Sequence, residues 1–229
     1  MNKQLKKPSW RSIGFIFLAL LGLPLAASPS HGQETQTQED EVFMGGEVPL
    51  SRLSGKRIDR DWFRYENGRF GLAIDIPARG YRYTIPINGS GVAVTSDDEK
   101  ITMTILAHFT INNAAFSDDP HDPDAFKNAA SAVRRVYEHQ VAGTLAEGDM
   151  TITYRAKKKY FYVVAGHYKG PAGEDKIYYD RYTVSPNCPH VFSSARITYP
   201  RSKERELGKF VTRTSRSLRS TCSGEDAKR

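Results

Sequence analysis

The chain has 229 residues, with 33 Lys and Arg against 26 Asp and Glu, 39% hydrophobic residues and two cysteines. Residues 1–32 hold four positive charges and no negative one, so the formal +7 falls to +3 over the rest, too little for a nucleic-acid binder. A chain of this length buries about 70% of its unfolded surface, so it needs neither a structural metal nor a dense disulfide framework.

The first residues read as a secretory signal peptide over 1–32. Lys3, Lys6, Lys7 and Arg11 precede the apolar run "IGFIFLALLGLPLAA", and small residues follow in "AASPSHGQ". The run falls short of the roughly 20 apolar residues that a spanning helix needs. Ala27, Ser30 and Gly32 are the candidate ends of the cleaved piece, and the product is expected to be periplasmic or secreted. No later segment is long and apolar enough to cross a membrane. Residues 33–60 form a flexible leader. Its first part, "QETQTQEDE", is polar and acidic, and Gly45, Gly46, Pro49 and Gly55 space out the rest. A single domain is expected over 61–222 and a disordered tail over 223–229.

"DWFRY" reads as a packing anchor before the first strand. That strand is "RFGLAIDIP", where Phe70, Leu72, Ile74 and Ile76 alternate with Gly71, Ala73 and Asp75. Pro86 and "NGSG" mark turns. A short strand follows at 92–95, then "ITMTILAHF", with Met103, Ile105 and Ala107 on one side and Thr102 and Thr104 on the other. The period then changes. Phe126, Ala129, Ala130, Val133, Val136 and Tyr137 recur at three and four, which predicts an amphipathic helix. Asp122 would cap it, Pro123 would open it and Gly143 would stop it. Four strands follow: "MTITYRA", "YFYVVAGHY", "KIYYDRYTVS" and "HVFSSARITYP", the first two joined by a hairpin through Lys157–Lys159. A last helix carries Leu207, Phe210, Val211, Thr214 and Leu218 on one face. Strands and helices segregate, which predicts an α+β fold: one mostly antiparallel sheet with two amphipathic helices packed on it.

The order "YENGRFGLAIDIP", "P-x-NG-x-G", "ITMTIL", "AGHYKG", "YYDRY", "ITYP" and a basic tail helix resembles a group of secreted proteins of Gram-negative bacteria with a PsbP/DcrB-like α/β/α sandwich. The resemblance spans about residues 61–220. It implies an accessory or binding domain rather than an enzyme, and it carries over no catalytic residue. It leads one to expect an acid in the third position of the "NGSG" turn, where Ser90 stands.

The motifs for chemistry are sparse. "SDDPHDPD" gathers Asp118, Asp119, Asp122 and Asp124 around His121 without EF-hand spacing, and it reads as a helix start before it reads as a cation loop. No histidine pair has metal-ligand spacing, although His108 and His167 both fall in predicted strands and could meet across the sheet. "NGSGV" lacks the helix that a nucleophile elbow requires, and no nucleotide-binding fingerprint is present. No metal, cofactor or catalytic set is expected. Cys188 and Cys222 are expected to form a disulfide in an oxidising compartment, at roughly 3–4 kcal/mol for a loop of this size. Lys203, Arg205, Lys209, Arg213, Arg216 and Arg219 share the last helix region, and "RAKKK" adds a second basic knot. Together they suggest a patch for an envelope protein or an anionic surface. The expected function is a non-catalytic exported interaction domain, with a small secreted hydrolase lacking a sequence motif as the alternative.

Overall fold

The computed structural model describes residues 45–109, 129–146 and 150–220. Seven strands come first: β1 (Glu47–Val48), β2 (Gly55–Arg57), β3 (Trp62–Asn67), β4 (Leu72–Pro77), β5 (Tyr81–Thr84), β6 (Gly91–Ser96) and β7 (Thr102–Phe109). Helix α1 (Ala129–Ala146) follows, then β8 (Met150–Lys157), β9 (Phe161–Lys169), β10 (Asp175–Ser185) and β11 (Cys188–Pro200). Helix α2 (Glu204–Ser217) and a short β12 (Arg219–Ser220) end the described chain. The strands make a large sheet in the order β1-β5-β6-β7-β11-β10-β9-β8 and a small one in the order β12-β4-β3-β2. Every pairing is antiparallel. The fold is α+β with two helices packed on antiparallel sheet, as the segregated pattern predicts.

The large sheet is apolar on both faces, and each face has its own cover. One face presents Val92, Val94, Met103, Ile105, Ala195 and Ile197. Leu72, Ile74 and Ile76 of the small sheet pack on it, with Leu207 and Val211 of α2 beside them. The other face presents Tyr162, Val164, Tyr178 and Phe192 beneath Ala132, Val133 and Val136 of α1. Each such large side chain contributes about 1.5–3 kcal/mol by leaving water. Under α1 the core also holds a charge. Asp180, 1% exposed, accepts hydrogen bonds from Arg196 Nε (2.9 Å) and Nη2 (3.0 Å) and from Gln140 Nε2 (2.7 Å). The Tyr162 hydroxyl donates to Gln140 in turn. A buried carboxylate is tolerated only when it is paired and hydrogen-bonded in this way, so α1 is fixed by polar contacts as well as by its apolar face.

Several elements differ from the sequence pattern, each for a visible reason. The alternating run at 70–76 does not begin the main sheet; as β4 it lies inside the small one, and all six of its residues are buried. Trp62–Tyr65 of "DWFRY" belong to strand β3, and residues 47–57 contribute β1 and β2 to the two sheets. Residues 81–84, between turn signals, form β5 because Tyr83 is buried on the core face opposite Val94. Helix α1 runs through Gly143 to Ala146. A lone glycine costs only about 1 kcal/mol in a helix interior, and Thr144 beyond it is buried. Asp122, Pro123 and Phe126 lie outside the described residues, as do the acidic segment 118–124 and the tail 223–229.

The buried tyrosines set a limit at alkaline pH. Burial pushes the Tyr83 phenol up to about 12, and its hydroxyl donates to Pro77 O at 2.8 Å. Burial also raises Tyr65, Tyr81 and Tyr199. An unfolded tyrosine ionises near pH 10, so the stability these groups contribute is complete below that pH and is lost as pH rises toward the folded values. The urea midpoint should therefore be flat up to about pH 10 and fall above it. Tyrosinate absorbance at these positions should appear together with unfolding. A midpoint independent of pH across that window would contradict the burial described.

Candidate functional site: a groove between the last helix and the open sheet face

Helix α2 owes its start to Pro200, which ends β11, and to Glu204 and Glu206, which meet the positive end of the helix dipole in the first turn. Leu207, Val211 and Thr214 are buried on its inner side. A side chain at its last residue ties its far end to the small sheet. Ser217 Oγ accepts the backbone N–H of Asp75 at 2.7 Å and donates to Thr214 O at 2.7 Å. This hydroxyl extends the β12–β4 ladder, in which Arg219 pairs with Ala73, by one further backbone group. The Asp75 carboxylate accepts from Arg64 Nε and lies 3.7 Å from Arg213 Nε. Bonding to Asp75 raises the Arg64 guanidinium above its ordinary value. Arg213 also stacks 4.1 Å from the centroid of the Trp62 ring, and Phe210 lies 5.6 Å from the same ring.

Helix α2 lies against β4, β10 and β11, and on its free side the sheet face remains open. The result is a cleft of about 460 Å³. Ala165, His167, Ile177 and Tyr179 make its floor, on β9 and β10. Its wall is the helix stripe Glu204, Gly208 and Thr212, residues spaced by four and so on one side. Tyr199 and Arg201 close one end, and Tyr154 stands at the rim, 54% exposed. Tyr154 is there because of a register shift between Ile152 and Tyr154 in β8. Ile152 packs toward α1. In an unbroken strand Tyr154 would share that side, and the extra residue of the bulge turns it to the groove. Gly208 keeps the wall low, since a Cβ there would meet nothing within 4 Å. Charges gather at the Arg201 end. Lys169 holds the Asp175 carboxyl below the usual range through a 2.9 Å contact, with Arg201 and His167 adding to the effect.

The six basic residues expected to act as a patch are divided by the structure. Arg205, Lys209, Arg216 and Arg219 are exposed. Lys203 lies 3.9 Å from Asp98, and Arg213 is held by Trp62, Asp75 and Asp59. "RAKKK" does not join them. Lys157 lies over the Tyr137 ring and 3.9 Å from Glu138, on the α1 side of the sheet. His108 and His167 do not meet: β11 and β10 lie between their strands. His167 lines the groove, with no hydrogen bond to Glu204 or Arg201 among the described residues. No three His, Cys, Asp or Glu among the described residues group as metal ligands. Cys188 opens β11, and its expected partner Cys222 lies outside the described residues. No helix among the described residues is long and apolar enough to cross a membrane. Sequence patterns missed Tyr154, Tyr179, Tyr199 and Arg201 as members of one site. The tyrosine-rich strands are visible in the sequence, but not which tyrosines line the groove.

No protein-family model and no curated relative matches the chain. Solved structures align with it at low identity. The cyanobacterial PsbP of Synechocystis is 11% identical, with 76% of this chain and 99% of that one covered and a TM-score of 0.43. The Saccharomyces cerevisiae Ran-binding protein Mog1p is 8% identical, covering 71% and 97%, at 0.42. LpqN of Mycobacterium tuberculosis, described as involved in cell envelope biogenesis, is 12% identical, covering 78% and 92%, at 0.38. PsbP is one of the two proteins whose layout the sequence order resembles. At these identities no residue's role carries over.

Two substitutions check this construction. Ser217→Ala leaves the buried Asp75 N–H without its acceptor and should lower the unfolding free energy by about 1–3 kcal/mol. Gly208→Ala adds a methyl to open space on a helix and should raise it by about 0.5–1 kcal/mol. Urea unfolding measures both. A neutral Ser217→Ala would mean that water replaces the hydroxyl and that α2 is held by its apolar face alone.

Proposed function

We propose that the protein is exported and works by binding, with the groove beside α2 as the surface that receives a protein partner outside the cytoplasm. The observation that carries this reading is the groove's lining. Three tyrosines, a histidine and an arginine surround an open cleft, and Tyr154, more than half exposed, is aimed into it by a bulge. Tyrosine and arginine are the residues that protein interfaces favour, because they bring large contact area with a polar tip. Export rests on the basic, apolar, small order of residues 1–32.

Site-specific photo-crosslinking in cells tests the binding reading. A crosslinker replacing Thr212, in the groove wall, should trap a discrete partner. One replacing Arg134, exposed on α1 across the sheet, should not. Gly208→Trp should abolish the Thr212 product while circular dichroism stays unchanged. Equal trapping from both positions would overturn the groove as the binding surface. Turnover of an ester, phosphate or glycoside substrate that is lost in His167→Ala would make the groove an active site instead. Export has its own test. The mass of the purified protein should correspond to cleavage between about residues 26 and 33. An intact amino terminus in the membrane fraction would refute it.

A further inference from the structure

Next to Tyr179 on the same face of β10 stands a charge that no carboxylate among the described residues meets. Arg181 follows Tyr179 by two residues on β10 and so faces the same side, between Val163 and Ala195 in the neighbouring strands. Its guanidinium carbon lies 4.1 Å from the centroid of the Phe161 ring, a stack that fixes the plane of the fork. Nε is buried without a hydrogen-bond partner. No carboxylate among the described residues pairs with the side chain. The groups it feels electrostatically are Tyr179 on its own strand and, with its own sign, Arg216 of α2. Arg216 comes four residues after Thr212 and so extends the stripe Glu204, Gly208, Thr212 that forms the groove wall. Burial chiefly, and Arg216 with it, hold the Arg181 guanidinium below its ordinary value, against the pull of Tyr179.

The other half-buried cations of the molecule are treated differently. Arg64 and Arg213 share Asp75, Arg196 grips Asp180 and Lys176 meets Glu174. Arg181, by contrast, keeps a buried donor without a partner and has no carboxylate beside it among the described residues. Two further buried hydroxyls without partners, Ser193 Oγ and Ser220 Oγ, stand on β11 and β12. Ser193 shares the face of Ala195, the strand partner of Arg181, and β12 lies against both β10 and β11. An unpaired buried donor is unfavourable, and a like charge on the facing helix adds to the cost; an anion relieves both.

We propose that Arg181 and Arg216 form an oxyanion-binding subsite at this end of the groove, which takes a carboxylate or phosphate group on the Arg181 fork. The proposal relies on the groove reading only for what carries the anion, so free anions test the subsite apart from any partner. The experiment titrates the mature protein with inorganic phosphate and, separately, with a short poly-glutamate peptide at constant ionic strength. The arginine Nε–H resonances are followed by NMR. The Arg181 signal should shift saturably with at least one of the two. Arg181→Gln and Arg216→Gln should each weaken binding about tenfold or more, as the loss of a charged hydrogen-bonding partner does. Arg205→Gln, on the same helix but away from the groove, should change it less than about twofold. Arg181→Lys keeps the charge and loses the fork, and should also weaken binding. Saturation by phosphate alone assigns the subsite to a phosphate-bearing ligand, and saturation by the peptide alone assigns it to a carboxylate. Absence of a saturable shift with both probes would overturn the proposal. So would equal weakening by Arg205→Gln, or full binding by Arg181→Lys.

Discussion

Everything on the functional side of this molecule depends on where α2 is held, and a single buried acid largely decides that. Asp75 sits in the middle of β4 with its backbone N–H on Ser217 and its carboxylate between Arg64 and Arg213. One residue thus ties a strand to the end of a helix through both main chain and side chain. The helix cannot slide by a turn without breaking the Ser217 bond, unstacking Arg213 from Trp62 and exposing the carboxylate. Because a buried charge must keep its partners, the helix is fixed in register as well as in position. That register places Glu204, Gly208, Thr212 and Arg216 along the groove and turns Arg213 away from it.

The second constraint is one of coverage. An eight-stranded sheet with two apolar faces needs more cover than two helices supply. The small sheet spares α2 from covering β5–β7, and α2 reaches β10 and β11. On the far side α1 lies over β8 to β11. The groove-side face of β8 and β9 is therefore the part of the large sheet left over. Its residues match that position in part: Tyr154, Phe161 and His167 are partly wet, while Val163 and Ala165 between the last two are buried, as are Tyr162, Val164 and Tyr178 on the other face. Strands β9 and β10 thus serve two roles at once, with alternate residues given to the α1 core and to the groove.

How much of this could be read from the chain follows from the period of each signal. The strands with long β-branched and aromatic runs, and both amphipathic helices, are visible because their apolar residues repeat at two or at three and four. The inner face of α2, Leu207, Val211 and Thr214, is legible for the same reason. The division into two sheets is not, because alternation fixes which side of a strand is apolar and says nothing of which strand lies next to it. For that reason the 70–76 run could be identified as a strand but not placed in the small sheet. Asp75 illustrates the limit well: in the pattern it is the polar member of an alternating run, yet in the structure it is buried under two arginines. The groove was illegible for a further reason. A bulge of one residue moves Tyr154 to the other face, and no period in "MTITYRA" announces it.

The distribution of arginines gives the last step. Six basic residues near α2 look equivalent in sequence, and a uniform cationic helix would attract any anionic surface through screened, unspecific charge. The fold makes them unequal. Arg213 is used internally, Lys203 leans on Asp98, and Arg205 and Lys209 face solvent, where long side chains retain their freedom. Arg216 alone stands on the stripe that continues the groove wall and borders a guanidinium already fixed by an aromatic ring. A guanidinium fixed and half-buried as Arg181 is would meet an anion with its plane already set, since that ordering cost is met when the protein folds rather than when a ligand arrives. The flexible exposed residues contribute mainly to the rate of encounter. On this reading attraction belongs to the exposed residues of the helix and selection to the stacked arginine of the neighbouring strand.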